Sequence, residues 1–216
     1  MFVEITNILE KRKKRNLIIA ALFFVLINAF LPTFAVNNVI GNVTHQKKTS
    51  YTLQEKHQLF EGLGKELKPH GLRITPKEFA DACMVALYCE SNLKTTSVGD
   101  SGSQGINQLT AATRKRLAVP SNILDDCFLT QLGYFKRYLI ASRRVHLIRD
   151  AISLHALNFS PSNPSADTFC IATVGLQSLD LNRNGHIDRG DFKKFQRKRV
   201  NENPYIKAIY EKRYGK

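Results

Sequence analysis

Acidic residues are scarce in this chain: 18 Asp and Glu stand against 32 Lys and Arg, a formal charge of +14 at pH 7. Such an imbalance draws anionic polymers and surfaces and repels cationic partners. There is no Cys-x-x-Cys pair and the histidines are scattered, which argues against a structural zinc site. No internal repeat appears, so a solenoid is excluded. No cysteine stands directly after the N-terminal apolar run, which speaks against lipid attachment there.

That run is itself informative. Lys11 to Arg15 are all basic, Leu17 to Leu31 form an apolar run interrupted by Asn28, and Pro-Thr-Phe-Ala-Val follows. A basic flank, a short apolar core and small residues near Ala35 are the marks of an export signal over residues 1–35. The core is shorter than the roughly twenty residues of a spanning helix, although a tract extended to Val36 would serve as a retained membrane anchor. Either way the remainder is expected outside the cytoplasm, in the periplasm or cell envelope. Removing residues 1–35 takes away five cations and two anions and leaves +11. Export makes peptidoglycan carboxylates or anionic lipid the expected partner of this charge, and not nucleic acid.

Residues 36–50 are polar and aperiodic and read as a linker. Beyond them about 180 residues, counted from the end of the leader, suffice for one compact domain and a small appendage. The domain is expected over 51–170 and the appendage over 171–216. All four cysteines, Cys83, Cys89, Cys127 and Cys170, follow the leader. In an oxidising compartment they permit two disulfides, though Cys83 and Cys89 point to different faces of one helix and do not suit each other.

Helices dominate the pattern. Thr52 to Glu55 and Thr75 to Glu78 are capping boxes, the second with Pro76 at the first helical position. Phe60, Leu63 and Leu67 form one core stripe, and Phe128, Leu132, Phe135 and Leu139 another. After Thr75 the stripe of Phe79, Cys83 and Ala86 continues onto Glu90. An inward-facing carboxyl loses hydration in its charged form, which favours the protonated acid that cleavage of a glycosidic bond requires.

Gly99, Gly102 and Gly105 follow at a spacing of three, and Gln108 can offer an acceptor and donors to sugar hydroxyl and acetamido groups. Together, Glu90-Ser91, Gly102-Ser-Gln-Gly105-Ile-Asn-Gln108-Leu109 and Thr113 resemble the lytic transglycosylase family, which is goose-type lysozyme-like. Its signature is Glu-Ser, a gap, then Gly-Ala-x-Gly-Leu-Met-Gln-Leu-x-Pro-x-Thr. The chain departs from it with Ser103 for Ala, Asn107 for Met and Ala111 for Pro. The family's Ala-Tyr-Asn motif has its nearest counterpart in Ala156-Leu157-Asn158, where Leu157 cannot supply a phenol. Either Tyr134 or Tyr138 reaches the cleft instead, or the contact is dispensed with.

The resemblance is sharp over residues 75–140. It implies a mainly α, lysozyme-like domain in which Glu90 is the single acid and base, with Ser91, Gly105, Gln108 and Asn158 facing substrate. It implies cleavage of peptidoglycan glycan strands to 1,6-anhydro products without a catalytic cofactor. A hydrolase would use a second carboxyl to position water, for which Asp100 is the candidate. A rival reading from another class is a wall-binding scaffold that lost activity. Either could serve a secretion or phage-like assembly.

Near the C-terminus Asp180, Asn182, Asn184, His186, Asp188 and Asp191 fall at positions 1, 3, 5, 7, 9 and 12 of an EF-hand-like calcium loop, with Gly185 at 6 and Ile187 at 8. His186 would contribute only its carbonyl, and Asp191 replaces the usual Glu. The expected appendage is thus an EF-hand-like helix-loop-helix, with Ca²⁺ acting as a structural clamp.

Overall fold

The computed structural model describes residues 50–99, 101–160, 165, 168–170, 179–181, 183 and 185–215. The expected leader and nearly all of the linker lie outside the described residues. Helix α1 is Leu53–Leu67, α2 is Pro76–Ser91, α3 is Ala111–Arg116, α4 is Phe128–Ser142, α5 is Ala151–Phe159, α6 is Arg189–Val200 and α7 is Pro204–Tyr214. Short 3₁₀ turns occur at Lys68–His70 and Val145–Leu147. Strands β1 (Thr168–Cys170) and β2 (His186–Asp188) pair antiparallel, with Phe169 opposite Ile187. The chain is mainly helical, as its sequence predicts. Among the described residues no helix is long and apolar enough to cross a membrane.

The capping signals translate directly into helix starts. At α2, Thr75 Oγ1 accepts from the Glu78 amide and Glu78 Oε2 accepts from the Thr75 amide at 2.8 Å, so two orphan donors are satisfied reciprocally. The same exchange between Thr52 and Glu55 starts α1. The stripes of α1 and α4 meet in the core, where Phe60 stacks edge-on against Phe128 and Phe135.

Helix α2 departs from expectation in one respect. Its sequence reads as one-sided, yet Phe79 through Cys89 are all buried. The reason is that α1, α5, α6 and α7 all pack on it, which makes it the central post of the domain. The free thiols of Cys83 and Cys89 are part of this interior, and burial pushes both well above the ordinary thiol range. Cys127, at the N-cap of α4, is also a free thiol. The disulfides that an oxidising compartment would allow are therefore not formed by these three cysteines. The two on α2 are enclosed on their own helix and act as small apolar core residues. The side chain of Cys170 lies outside the described residues.

The segments on either side of residue 170 belong to one body, since β1 and β2 pair across that expected boundary and residues from Lys47 onward form one unit. Helix α7 closes it. Arg213 Nε bonds Asp81 Oδ2 at 3.0 Å and its Nη1 bonds Glu78 Oε1 at 2.9 Å, while the Tyr214 hydroxyl accepts from the Ala151 amide at the start of α5. Asp81 is also 2.8 Å from His57 Nε2.

Bonding to Arg213, and to Thr75, lowers the Glu78 carboxyl to about 2. At Asp81 burial pushes upward, but the hydrogen bonds from His57 and Arg213 outweigh it and leave the carboxyl below its usual range. Both groups bind protons more weakly folded than unfolded. Their stabilisation is thus present above the unfolded value and lost as pH falls toward the folded one. Arg213→Met is expected to lower the urea midpoint at pH 7 and to matter progressively less between the ordinary Glu value of 4.5 and about 2. A penalty that stays constant through acid would contradict this account.

Candidate functional site

Glu90 is the penultimate residue of α2, which ends at Asn92 in the left-handed region with φ 53°. Its side chain retains 22% exposure, so it faces the edge of the core without leaving solvent. Oε1 lies 3.1 Å from Nε2 of His155, a buried residue of α5. The imidazole sits against the rings of Phe192 and Phe195, with centroids 4.8 and 5.8 Å away. His155 did not emerge from the sequence as a site residue. Its one signal is a titratable side chain in a mostly apolar helix that also carries Ser153 and Asn158.

Ser91 ties the end of α2 to the glycine turn. Its Oγ is 2.7 Å from the Ile106 carbonyl and 3.0 Å from that of Leu87. The turn is a folded object: Gly99 N donates to Ser103 O, Gly102 N to Gly99 O and Gly105 N to Ser97 O, while Gln104 and Leu109 exchange two backbone bonds. Gly105 has φ +79°, and a Cβ there would stand 2.5 Å from Gln131 Oε1. Gly99 needs its bareness for another reason, because a Cβ would fall 2.5 Å from Ser103 Oγ and 2.6 Å from Gln108 Oε1.

Gln108 spends its amide inside this turn. Nε2 donates to the carbonyl of Gly105 at 2.8 Å, and Oε1 accepts from Ser103 Oγ at 2.8 Å. The role visible for Gln108 and Gly105 is to hold the turn's shape. Gln131 of α4 does more of the same from below. Its Oε1 accepts from Ile106 N at 3.0 Å, and its Nε2 donates to Thr95 O at 2.9 Å and Ile123 O at 2.6 Å. Nothing in the local sequence marks Gln131, because its partners lie on separate loops. Asn107, standing where the family signature has Met, is buried with Nδ2 unpaired among the described residues. Asp100 lies outside the described residues.

The two tyrosines separate clearly. Tyr134 donates to Asp126 Oδ2 at 3.0 Å, whereas Tyr138 donates to the Leu157 carbonyl at 2.8 Å, within the Ala156-Leu157-Asn158 segment. Burial raises the Tyr138 phenol strongly; Arg116 pulls it down, and the nearby charge of Glu90 pushes the same way as burial. A phenol thus arrives from α4 at the segment where Leu157 brings none. Beside it both amide atoms of Asn158 are buried without a hydrogen-bond partner among the described residues. An unpaired buried amide is costly.

In the acidic loop Gly185 takes φ +83°, as position 6 demands, and its amide donates to Asp180 Oδ2 at 2.8 Å. Ile187 is buried on Phe192 and Ala156. Asp188 caps α6 and exchanges bonds with Asp191, whose two oxygens accept from the amides of Leu181 and Asp188, each at 3.0 Å. Asn182, Asn184 and residues 171–178, where the entering helix of a hand is expected, lie outside the described residues. Among the described residues no three His, Cys, Asp or Glu side chains gather as a metal cluster. The oxygen chemistry of Asp180 and Asp188 suits a hard cation. Asp191 would have to give up backbone bonds to bind one through both oxygens.

Comparison of the chain with protein-family models, with curated proteins and with solved structures found no match.

Proposed function

We propose that the chain is a lytic transglycosylase-like enzyme that cleaves the β-1,4 bond between N-acetylmuramoyl and N-acetylglucosaminyl residues of peptidoglycan, on a lysozyme-like helical domain. The observation that carries the reading is the placement of Glu90: half-buried at the end of the central helix, and linked through Ser91 to the glycine turn. In this mechanism protonated Glu90 gives its proton to the glycosidic oxygen as the bond to C1 breaks, helped by the acetamido group of the substrate. The Glu90 carboxylate then takes the proton of the muramoyl C6 hydroxyl as that oxygen closes on C1. No water is consumed and the ring ends as a 1,6-anhydro sugar. Ser91, Gly105 and Gln108 shape the cleft wall. Asn158 brings an amide with bonding capacity to spare.

Sacculi incubated with the purified chain are expected to release soluble muropeptides with anhydro ends by mass spectrometry. Reducing ends would make the enzyme a hydrolase. No release at all would favour the scaffold reading. The basic surface, including Lys193, Arg197 and Lys207 around a pocket of about 450 Å³, suits approach to an anionic wall. A role in a secretion or phage-like assembly, with the N-terminal segment as leader or membrane anchor, belongs to the same proposal.

The acidic loop is proposed as a structural calcium clamp, using Asp180, Asn182, Asn184, the His186 carbonyl, Asp188 and Asp191. Millimolar calcium is expected to raise the thermal midpoint by a few degrees, roughly the 0.4–1.4 kcal/mol that a one- to tenfold excess over a dissociation constant of about 10⁻⁴ to 10⁻³ M supplies. Asp180→Ala should cancel the rise. No shift in the wild type would leave the loop a plain turn.

A further inference from the structure

The contact between Glu90 and His155 is one end of a line that crosses three helices. His155 Nε2 lies 3.1 Å from Glu90 Oε1 on α2, and its Nδ1 lies 3.4 Å from Gln196 Nε2 on α6. The same Gln196 nitrogen donates to the Ala151 carbonyl at 3.1 Å. A carboxamide nitrogen carries two hydrogens and no acceptor lone pair, so one hydrogen goes to Ala151 and the other faces the imidazole. The reversed amide would set oxygen against the carbonyl oxygen of Ala151. Nδ1 therefore accepts, and a neutral imidazole whose Nδ1 accepts keeps its proton on Nε2. That proton is on the ring nitrogen nearest Glu90, although Nε2 and Oε1, 3.1 Å apart, are not aligned as a hydrogen bond here.

Two further observations give the line weight. Gln196 is fully buried, yet its Oε1 has no hydrogen-bond partner among the described residues. A leucine would fill that volume without leaving a carbonyl unpaired, so what the amide contributes is its nitrogen. The ring cannot turn freely either, since it is packed between Phe192 and Phe195 and is only 4% exposed.

We infer that His155 is a positioning residue for Glu90, with its tautomer set by Gln196. It rests on the function proposed above. A small turn of the carboxyl brings Oε1 into line with the Nε2 proton, which then holds that side of the group from within the protein. Oε2 is left to deliver a proton to the glycosidic oxygen and then to receive the one from the C6 hydroxyl. A carboxyl free to rotate would present either oxygen to the substrate. One braced on its inner oxygen is held near the reacting geometry before substrate arrives.

The test pairs a spectrum with kinetics on the full chain. With ¹⁵N-labelled histidine, the His155 signals, identified by their loss in His155→Phe, should show an unprotonated Nδ1 and a protonated Nε2. Gln196→Leu should mix the two tautomers. With sacculi as substrate, His155→Phe should lower kcat on the order of 10–100-fold with KM nearly unchanged. His155→Gln, whose amide nitrogen can reach toward Oε1, should recover part of the loss. The double variant with Gln196→Leu should be no slower than His155→Phe alone. Full kcat in a folded His155→Phe, a loss confined to KM, or a protonated Nδ1 in the wild type would each overturn the inference while leaving the proposed function standing. A wild-type chain that releases nothing defeats that function, and the role of His155 falls with it.

Discussion

Glu90→Gln is expected to cut muropeptide release by roughly 10³- to 10⁴-fold, near the upper end for loss of one general acid or base, because in the proposed mechanism one carboxyl serves in both roles. An amide has no proton of suitable acidity to give and cannot take one back. The variant should nevertheless fold. The Glu90 side chain keeps 22% exposure, and His155 Nε2, 3.1 Å from Oε1, can face an amide oxygen as well as a carboxylate oxygen. Circular dichroism and thermal midpoint are expected to stay near the wild type while chromatography of digested sacculi shows no soluble products. Undiminished release by a folded Glu90→Gln would end the assignment of Glu90 as the acid.

Gln131→Leu is expected to be the most destabilising single change among the residues that hold the glycine turn. It removes the acceptor of Ile106 N and the donor to Thr95 O and Ile123 O, all at a residue that is 1% exposed. Each buried group left unpaired costs about 1–3 kcal/mol, so a loss of roughly 3–5 kcal/mol is expected after partial relaxation. Gly105→Ala strikes the same contact from the other side, since its Cβ would stand 2.5 Å from Gln131 Oε1 at a backbone φ of +79°. Urea unfolding at pH 7 measures both. A midpoint for Gln131→Leu equal to the wild type would mean that the turn does not depend on this amide. Because Ser91 joins the turn to the end of α2, both variants should also lose muropeptide release before they lose the fold.

What could be read in advance was local. Thr75, Pro76 and Glu78 specify the start of α2 within one turn of chain, and Phe128, Leu132, Phe135 and Leu139 announce a buried face by spacing alone. Glu90 and Ser91 stood out because they are adjacent to each other and near the glycines. What stayed hidden depends on partners far along the chain. Gln131 reaches Ile106 across 25 positions, and Arg213 reaches Glu78 across 135. His155 acquires a neighbour only when α5 is laid against α2. Gln108 shows the opposite failure: its amide looked available because sequence alone does not reveal that Ser103 and Gly105 would claim it. The all-round burial of α2 escaped for the same reason, since spacing describes one helix and not the four that surround it.

The anchoring of α7 has a consequence for the order in which the molecule comes into being. Arg213 completes the first turn of α2, and the Tyr214 hydroxyl satisfies the first amide of α5. A nascent chain emerging from the ribosome lacks both latches until residue 214 has been added. Its long-range closures are then among the last to form.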